Sequence, residues 1–151
     1  MTLEEALKSK LQYPIERRTV LNIAYTQNVL AEAFNELIKQ HDISPEQFNV
    51  LRILRGQKGN PINMSDIGER MIARTSNTTR LVDKLLLKEL VTRDICPGNR
   101  RKMEIRITDK GLDLLKTLDP IVDGHEQKFA ANLSMEELVL LNELLEKFRS
   151  I

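Results

Sequence analysis

The chain has very little cysteine: Cys96 is the only one, so no disulfide can form within the chain. No group of Cys and His side chains has the spacing of metal ligands, and His41 and His125 stand alone. Residues 1–18 contain no apolar run of the kind found in a signal peptide or a membrane span. These absences predict a cytoplasmic protein without a metal, a cofactor or a membrane partner.

The sequence also lacks the motifs on which enzymes depend. It has no glycine-rich phosphate loop and no nucleophile with a base partner. The segment HEQKF at 125–129 starts like a zinc-protease motif but has no second histidine. We therefore expect that the protein is not an enzyme.

The charge of the chain is unevenly distributed, although its 151 residues carry a net charge of only +1. Between residues 74 and 106 there are nine Lys or Arg against four Asp or Glu, a net charge of +5 that leaves −4 for the rest. Hydrophobic residues make up 41% of the chain, which is typical of a folded domain. A basic middle between acidic ends indicates that the middle meets phosphates.

Both ends of the chain predict long amphipathic helices. Residues 16–41 have apolar side chains at helical spacing without Gly or Pro, and at 1.5 Å per residue such a helix spans about 39 Å. Ser134 and Glu137 form a capping box that starts the last helix. Its predicted apolar face consists of Leu138, Leu141, Leu145 and Phe148. This surplus apolar length indicates that the two end helices pair with each other or with a second chain.

The middle of the chain predicts three helices followed by a β-hairpin. Ser44 and Gln47 form a capping box for the first helix, a short helix follows at about 64–71, and Thr75 or Ser76 is expected to cap the third. Leu81, Val82, Leu85 and Leu86 form its predicted inward face.

The hairpin is expected from alternating strands at 90–95 and 102–107, with Val91, Ile95, Met103, Ile105 and Ile107 directed inward. Between the strands, Cys96-Pro97-Gly98-Asn99 fits a type II turn. Thr108 is expected to cap the next helix, with Leu112, Leu115 and Leu118 inward, and Pro120 to kink or end it.

This order of elements describes a winged helix-turn-helix, a mainly α fold with a small β-hairpin wing. Its third helix enters the DNA major groove, and its wing follows the backbone or the minor groove. The candidate recognition residues are Arg74, Thr75, Ser76, Asn77, Thr79, Arg80 and Lys84. The candidate wing residues are Asn99, Arg100, Arg101 and Lys102. The predicted partner is double-stranded DNA.

The segments SPEQFNVLRIL, MSDIGERM, TTRLVDKL and NRRKMEIRITDKG resemble the MarR family of bacterial regulators across residues 44–111. The resemblance implies a homodimer in which 1–43 and 112–151 form the dimerisation domain and 44–111 binds a palindromic operator. It also implies repression that a small molecule or an oxidant relieves. A small aromatic or phenolic molecule is the candidate effector, and the residues that would bind it are not legible in the sequence.

Two positions depart from the family pattern. Asn99 stands where the family usually has an Asp that orients the wing, and Glu89 stands where it commonly has Gly at the helix exit. A left-handed Glu89 would cost on the order of 1 kcal/mol.

Two alternatives remain open from the residues. One is a winged-helix protein-interaction module without specific DNA binding. The other is a redox-sensor role for Cys96, which lies close in sequence to Arg100 and Arg101. An incidental turn residue is the interpretation that we favour for Cys96.

Overall fold

The computed structural model describes residues 1–150, which contain seven α-helices and one two-stranded antiparallel hairpin. The chain divides into two compact units, the first covering Met1–Phe48 and the second beginning at Asn49. A mainly helical chain with a single hairpin is the predicted fold class. The division into parts at residues 43 and 111 stays a prediction.

The first unit consists mainly of one long helix. After a short α1 (Leu3–Ala6), helix α2 (Ile15–Ile38) continues into a 3-10 turn at Lys39–His41, which confirms the long helix predicted at 16–41. The Nε atom of Arg18 lies 2.7 Å from Oε1 of Glu4 and joins α2 to α1. Of the residues of α2, Ile38 is the one that is buried.

Helices α3 (Pro45–Gly56), α4 (Met64–Arg70) and α5 (Thr78–Leu87) are the three predicted short helices. The capping box of α3 is confirmed: the N–H of Gln47 donates to Ser44 Oγ at 3.1 Å, and the N–H of Ser44 donates to Gln47 Oε1 at 3.3 Å. The fully buried side chains of the second unit come from these helices, from the hairpin and from α6. They are Val50, Leu51, Leu54, Ile67, Val82, Leu85, Ile105, Leu115 and Leu118.

The hairpin pairs β1 (Val91–Cys96) with β2 (Asn99–Ile107), so the second strand begins three residues earlier than expected. Ile62 adds a short bridge to β2 through two backbone hydrogen bonds with Ile105. Val91 and Ile105 are buried as predicted, whereas Ile95 and Met103 are exposed. The inward placement of these two residues was wrong, because they pair with each other nearer the turn, where the core no longer covers the hairpin.

Helix α6 (Asp109–Ala130) begins at the predicted cap, where Thr108 Oγ1 accepts a hydrogen bond from the N–H of Gly111 at 3.1 Å. The helix continues through Pro120, so of the two expectations for this proline, a kink or an end, the end is excluded. Leu112 is exposed, which corrects its predicted inward position. The buried stripe consists instead of Gly111, Leu115, Leu118 and Val122.

Helix α7 (Met135–Phe148) begins at the predicted capping box of Ser134 and Glu137. Within the described chain, none of its residues is buried; of its apolar side chains, Leu138 and Leu145 are half-buried and the others are exposed. The exposed ones are Met135, Val139, Leu140, Leu141, Leu144 and Phe148. Among residues 1–150, none of the helices has the length and apolar character that a bilayer span requires.

Candidate nucleic-acid interface

Helices α4 and α5 form the helix-turn-helix of the second unit. Asn63 caps α4, since its Oδ1 accepts a hydrogen bond from the N–H of Asp66 at 2.8 Å. Gly68 lies against the first turn of α5, where an added Cβ would be 3.3 Å from Oγ1 of Thr78. A small residue at position 68 therefore lets α4 pack closely against the start of α5.

The recognition helix begins at Thr78 and is capped by Asn77, whose Oδ1 accepts a hydrogen bond from the N–H of Arg80 at 3.1 Å. The expected cap at Thr75 or Ser76 was wrong. The N–H of Ser76 bonds instead to the carbonyl of Ala73 at 3.0 Å and closes a turn ahead of the helix. Arg74, Thr75 and Ser76 thus lie on the turn rather than in the helix.

The predicted recognition residues form a largely exposed surface on this turn and on α5. Ser76 is half-buried, and the others are exposed. The exposed ones are Arg74, Thr75, Asn77, Thr79, Arg80 and Lys84. On the opposite side of α5, Val82 and Leu85 are buried, and Leu81 and Leu86 are half-buried, as predicted. Because α5 is amphipathic, its hydrogen-bonding side chains face solvent.

The three basic residues of the wing form a bulge. In the ladder, Ile95 pairs with Met103 while the next residue, Cys96, pairs with Asn99. Arg100, Arg101 and Lys102 therefore have no partner on β1, and all three are exposed. Such a bulge directs side chains away from the regular ladder.

Asn99 organises the wing tip although the family commonly has Asp there. Its Oδ1 accepts a hydrogen bond from the N–H of Arg101 at 3.0 Å, which is the local bond that either side chain can make. The predicted type II turn is wrong, because that type needs a positive φ at Gly98, and Gly59 is the glycine with positive φ among the described residues. Cys96 is half-buried beside this turn.

Six cations of this surface form no ion pair with the part of the chain that the structure describes. Within residues 1–150, Arg74, Arg80, Lys84, Arg100, Arg101 and Lys102 take part in no ion pair. Two acidic side chains nearby are engaged: Asp83 Oδ1 lies 2.7 Å from Nη1 of Arg93, and Glu104 lies 3.6 Å from Arg106. The surface therefore has several positive charges that are available to phosphates.

Two contacts that the sequence did not reveal position this surface. The Asp83–Arg93 ion pair connects α5 to β1, so the recognition helix and the wing are directly linked. Asn49 on α3 accepts a hydrogen bond through Oδ1 from the N–H of Ile72 at 3.0 Å and holds the turn ahead of α5. These contacts join residues that are 10 and 23 positions apart, so no local sequence pattern predicts them.

Glu89, directly after the C-cap of α5, has a left-handed backbone conformation at the position where the family pattern has Gly. Glu89 has φ 60°, its N–H bonds to the Leu86 carbonyl, and the N–H of Leu90 bonds to the Leu85 carbonyl. This pair of bonds is a Schellman ending, which favours glycine at the left-handed position. The Glu89 carbonyl accepts a hydrogen bond from Thr108 Oγ1 at 2.8 Å, which joins the exit to the start of α6.

Comparison with known proteins places these features in a family. A sequence model described as "MarR family" matches residues 43–103. The HTH-type transcriptional regulator MhqR of Bacillus subtilis is 31% identical over 85% of this chain and 86% of its own length. The transcriptional repressor MprA of Escherichia coli is 25% identical over 83% of this chain and 72% of its own length. A MarR-like transcription regulator from Bacillus cereus, solved by crystallography, superimposes with a TM-score of 0.79 at 26% identity and covers 89% of this chain and 95% of its own.

Proposed function

Because the chain belongs to the MarR family of DNA-binding transcriptional regulators, we propose that it is a homodimeric repressor that binds a palindromic operator. The observation that carries this proposal is the set of unpaired cations on the turn, α5 and the wing. Cations without protein partners on a helix-turn-helix and its wing are the footprint of a phosphate backbone. The proposal also includes that the protein is a regulator rather than an enzyme and acts in the cytoplasm.

In this proposal, α5 and the turn ahead of it occupy the major groove. Arg80 is the candidate for bidentate hydrogen bonds to guanine O6 and N7, because it lies in the first turn of the helix and is exposed. Arg74, Thr75, Ser76, Asn77, Thr79 and Lys84 bond phosphates or base edges beside it. The amide oxygen of Asn77 caps the helix, so its amide nitrogen is the group that donates to DNA.

The wing bulge occupies the adjacent minor groove. Arg100 and Arg101 are held on a tip whose backbone is fixed by Asn99, and arginine is attracted to the negative potential of a narrow minor groove. Lys102 completes the bulge as a phosphate contact. A fixed tip reduces the ordering that the arginines must undergo when they bind.

The partner in the dimer is a second copy of the chain. Helix α7 exposes Val139, Leu140, Leu141, Leu144 and Phe148, and α2 separately exposes Ile15, Val20, Val29 and Leu30. A helix that exposes this many apolar side chains is a candidate interaction surface rather than a solvated helix. Residues 1–43 and 112–151 are thus assigned to dimerisation, and 44–111 to DNA binding.

Repression is supported by MprA, a relative that is named a transcriptional repressor. Relief of repression by a small molecule is the response that the family resemblance implies, with an aromatic or phenolic compound as the candidate. Titration of the protein–operator complex with a panel of phenols and aromatic acids tests this part. A compound that lowers operator affinity is the expected result, and a panel without effect contradicts it.

The experiment that tests the proposed function is selection of bound duplexes from a random DNA pool, followed by affinity measurements over a range of salt concentrations. We expect a palindrome whose half-sites are separated by about one helical turn. The logarithm of the affinity should fall with the logarithm of the salt concentration, with a slope of about −0.9 per phosphate contacted. Failure to enrich any sequence would contradict the proposal and would favour a winged-helix protein-interaction module.

A further inference from the structure

Ile72 is an apolar side chain in an unexpected place. It follows α4 and precedes α5, and it is 90% exposed although its neighbour Met71 is buried. Burial of an isoleucine side chain stabilises a fold, and this residue, being 90% exposed, contributes almost none of that to the described chain. Single exposed apolar side chains are common on protein surfaces, so the location of Ile72 is the informative feature.

The backbone at Ile72 is held in place on both sides of the turn. Its N–H donates to Asn49 Oδ1 at 3.0 Å, so the turn is attached to α3. Four residues later, the N–H of Ser76 closes on the Ala73 carbonyl at 3.0 Å. The isoleucine is therefore presented by an ordered turn rather than by a free loop.

The neighbours of Ile72 belong to the surface assigned to DNA. Arg74 and Thr75 follow it on the same exposed turn, Asn77 caps α5, and Arg80 lies in the first turn of that helix. These side chains read hydrogen-bonding groups or phosphates, and none of the four presents a purely apolar surface. The major groove also contains one apolar feature, the C5-methyl group of thymine, which proteins read through apolar contacts.

We propose that Ile72 packs against the C5-methyl group of a thymine in each half-site and selects thymine over cytosine there. This inference rests on the proposed function, because it places the turn in the major groove of an operator. The contact buries apolar surface on both partners when the complex forms. Ile72 is thus a specificity-determining residue that adds methyl recognition to the polar contacts of α5.

The test uses the full-length protein and its selected operator, with each thymine of the half-site replaced in turn by deoxyuridine, which lacks only the methyl group. For the wild type, one replacement should lower the affinity about fourfold, the value for loss of one buried methyl-sized group. The Ile72→Ala protein should bind the thymine operator about fourfold more weakly than the wild type and should not respond to that replacement.

Leu87→Ala is the matched control: it removes an apolar side chain that is 85% exposed at the far end of α5, and it should behave as the wild type does. Thr79→Ser removes the methyl group of a second candidate reader on α5 and is not a control for affinity, because Thr79 is itself placed at the DNA. The loss of affinity on deoxyuridine replacement should persist in this variant. Circular dichroism of all three variants should match the wild type, because exposed side chains contribute little to stability.

The outcomes separate the inference from the proposed function. If the Ile72→Ala protein keeps the full response to deoxyuridine, or if Thr79→Ser removes it, Ile72 does not read the methyl group, whereas selective binding by the wild type leaves the proposed function standing. If the wild type binds no duplex selectively, both are overturned.

Discussion

Arg101 lies in the middle of the wing bulge, and its backbone N–H is bonded by Asn99 while its side chain has no partner in the described chain. We expect Arg101→Ala to weaken operator binding by about 1–3 kcal/mol, because one minor-groove arginine is lost without a change in the fold. Affinity at fixed salt concentration measures the effect.

The control for Arg101 is Lys128→Ala, which removes an exposed cation from α6 and belongs to neither the recognition helix nor the wing proposed to bind DNA. This variant should bind the operator as the wild type does. Equal affinities for the Arg101→Ala protein and the wild type would exclude the wing from the mechanism.

Glu89 is the second residue whose environment makes a sharp prediction. Its φ of 60° places a side chain in the left-handed region, at the glycine position of a Schellman ending. Glu89→Gly should raise the free energy of unfolding by about 0.5–1 kcal/mol, since relief of backbone strain exceeds the added entropy of the unfolded chain.

Urea denaturation measures the effect of Glu89→Gly, and Glu89→Ala is the control. The alanine variant removes the exposed ion pair with Lys110, at 3.5 Å, but still has a Cβ atom on a residue in the left-handed region. An equal gain in both variants would show that charge, and not backbone strain, is responsible.

At the scale of elements, helix α6 contains two glycines with opposite surroundings. A Cβ at Gly111 would lie 2.5 Å from the Leu90 carbonyl oxygen and 2.7 Å from Cγ1 of Ile107, whereas a Cβ at Gly124 would meet nothing within 4 Å. Gly111→Ala should therefore destabilise the protein by about 1–3 kcal/mol through overpacking. Gly124→Ala should stabilise it by up to about 1 kcal/mol, because alanine is the better helix former.

Thermal or urea unfolding of these two alanine variants compares the same change in the same helix. Opposite signs are expected. A stabilised Gly111→Ala protein would mean that α6 does not approach the base of the hairpin as closely as the structure has it.

Helix α6 is joined to α3 by a bidentate ion pair between Arg55 and Asp119, with distances of 2.7 and 3.0 Å. The hydrogen bonds from Arg55 hold the pKa of the Asp119 carboxyl below its ordinary value of 3.8 and raise the pKa of Arg55. Asp119→Asn should lower the free energy of unfolding at pH 7 by about 0.5–1 kcal/mol, a small value because both side chains are partly exposed to solvent.

The lowered pKa of Asp119 also predicts how the stabilisation by this ion pair changes with pH. Because the folded-state pKa of Asp119 is lowered, its contribution is complete above pH 3.8 and is lost as the pH falls through the folded-state value. The difference between wild type and Asp119→Asn in urea denaturation should thus disappear in strong acid. Asp113→Asn, an exposed carboxylate on the same helix, is the control and should be neutral. If the free energies of unfolding of wild type and Asp119→Asn still differ at a pH below the folded-state pKa of Asp119, the ion-pair explanation is contradicted.

At the scale of the whole molecule, the proposed dimer is tested on α7. Leu144 is 53% exposed in the single chain, and Leu144→Asp would place a charge within the proposed interface. We expect the dimer dissociation constant to rise at least about tenfold, because burial of an unpaired carboxylate is costly. Sedimentation velocity over a range of concentrations measures this constant.

Asn142→Asp adds the same charge to the same helix at an exposed polar position and should leave the dimer intact. Operator affinity should fall for Leu144→Asp alone, since two half-sites must be held together. A monodisperse dimer of the Leu144→Asp protein would remove α7 from the interface.

Local sequence signals predicted the elements of this protein well. Ser44, Thr108 and Ser134 were recognised as caps because a cap needs a polar side chain and a partner within three residues, and all three lie where expected. The apolar periodicity of α5 and the position of the hairpin followed from similarly short-range patterns. The fold class could therefore be predicted from the sequence alone.

What the sequence could not supply was every feature that depends on two distant segments. Asn77 displaced Thr75 and Ser76 as the cap because Ser76 closes a turn on Ala73, and several polar residues in a row offer equivalent choices. Gly111, rather than Leu112, faces inward because the chain at Leu90 passes against that point of α6.

The wing bulge and the exposure of Ile72 have the same origin. Alternation along a strand predicts which residues share a face, but it does not predict where residues are left without a partner on the opposite strand. The pairing of Cys96 with Asn99 is therefore known only from the structure. Short-range chemistry selects helices, caps and turns, because its partners lie within a few residues. Burial and register need contacts across the fold, and those contacts decide which of the predicted polar groups remain exposed.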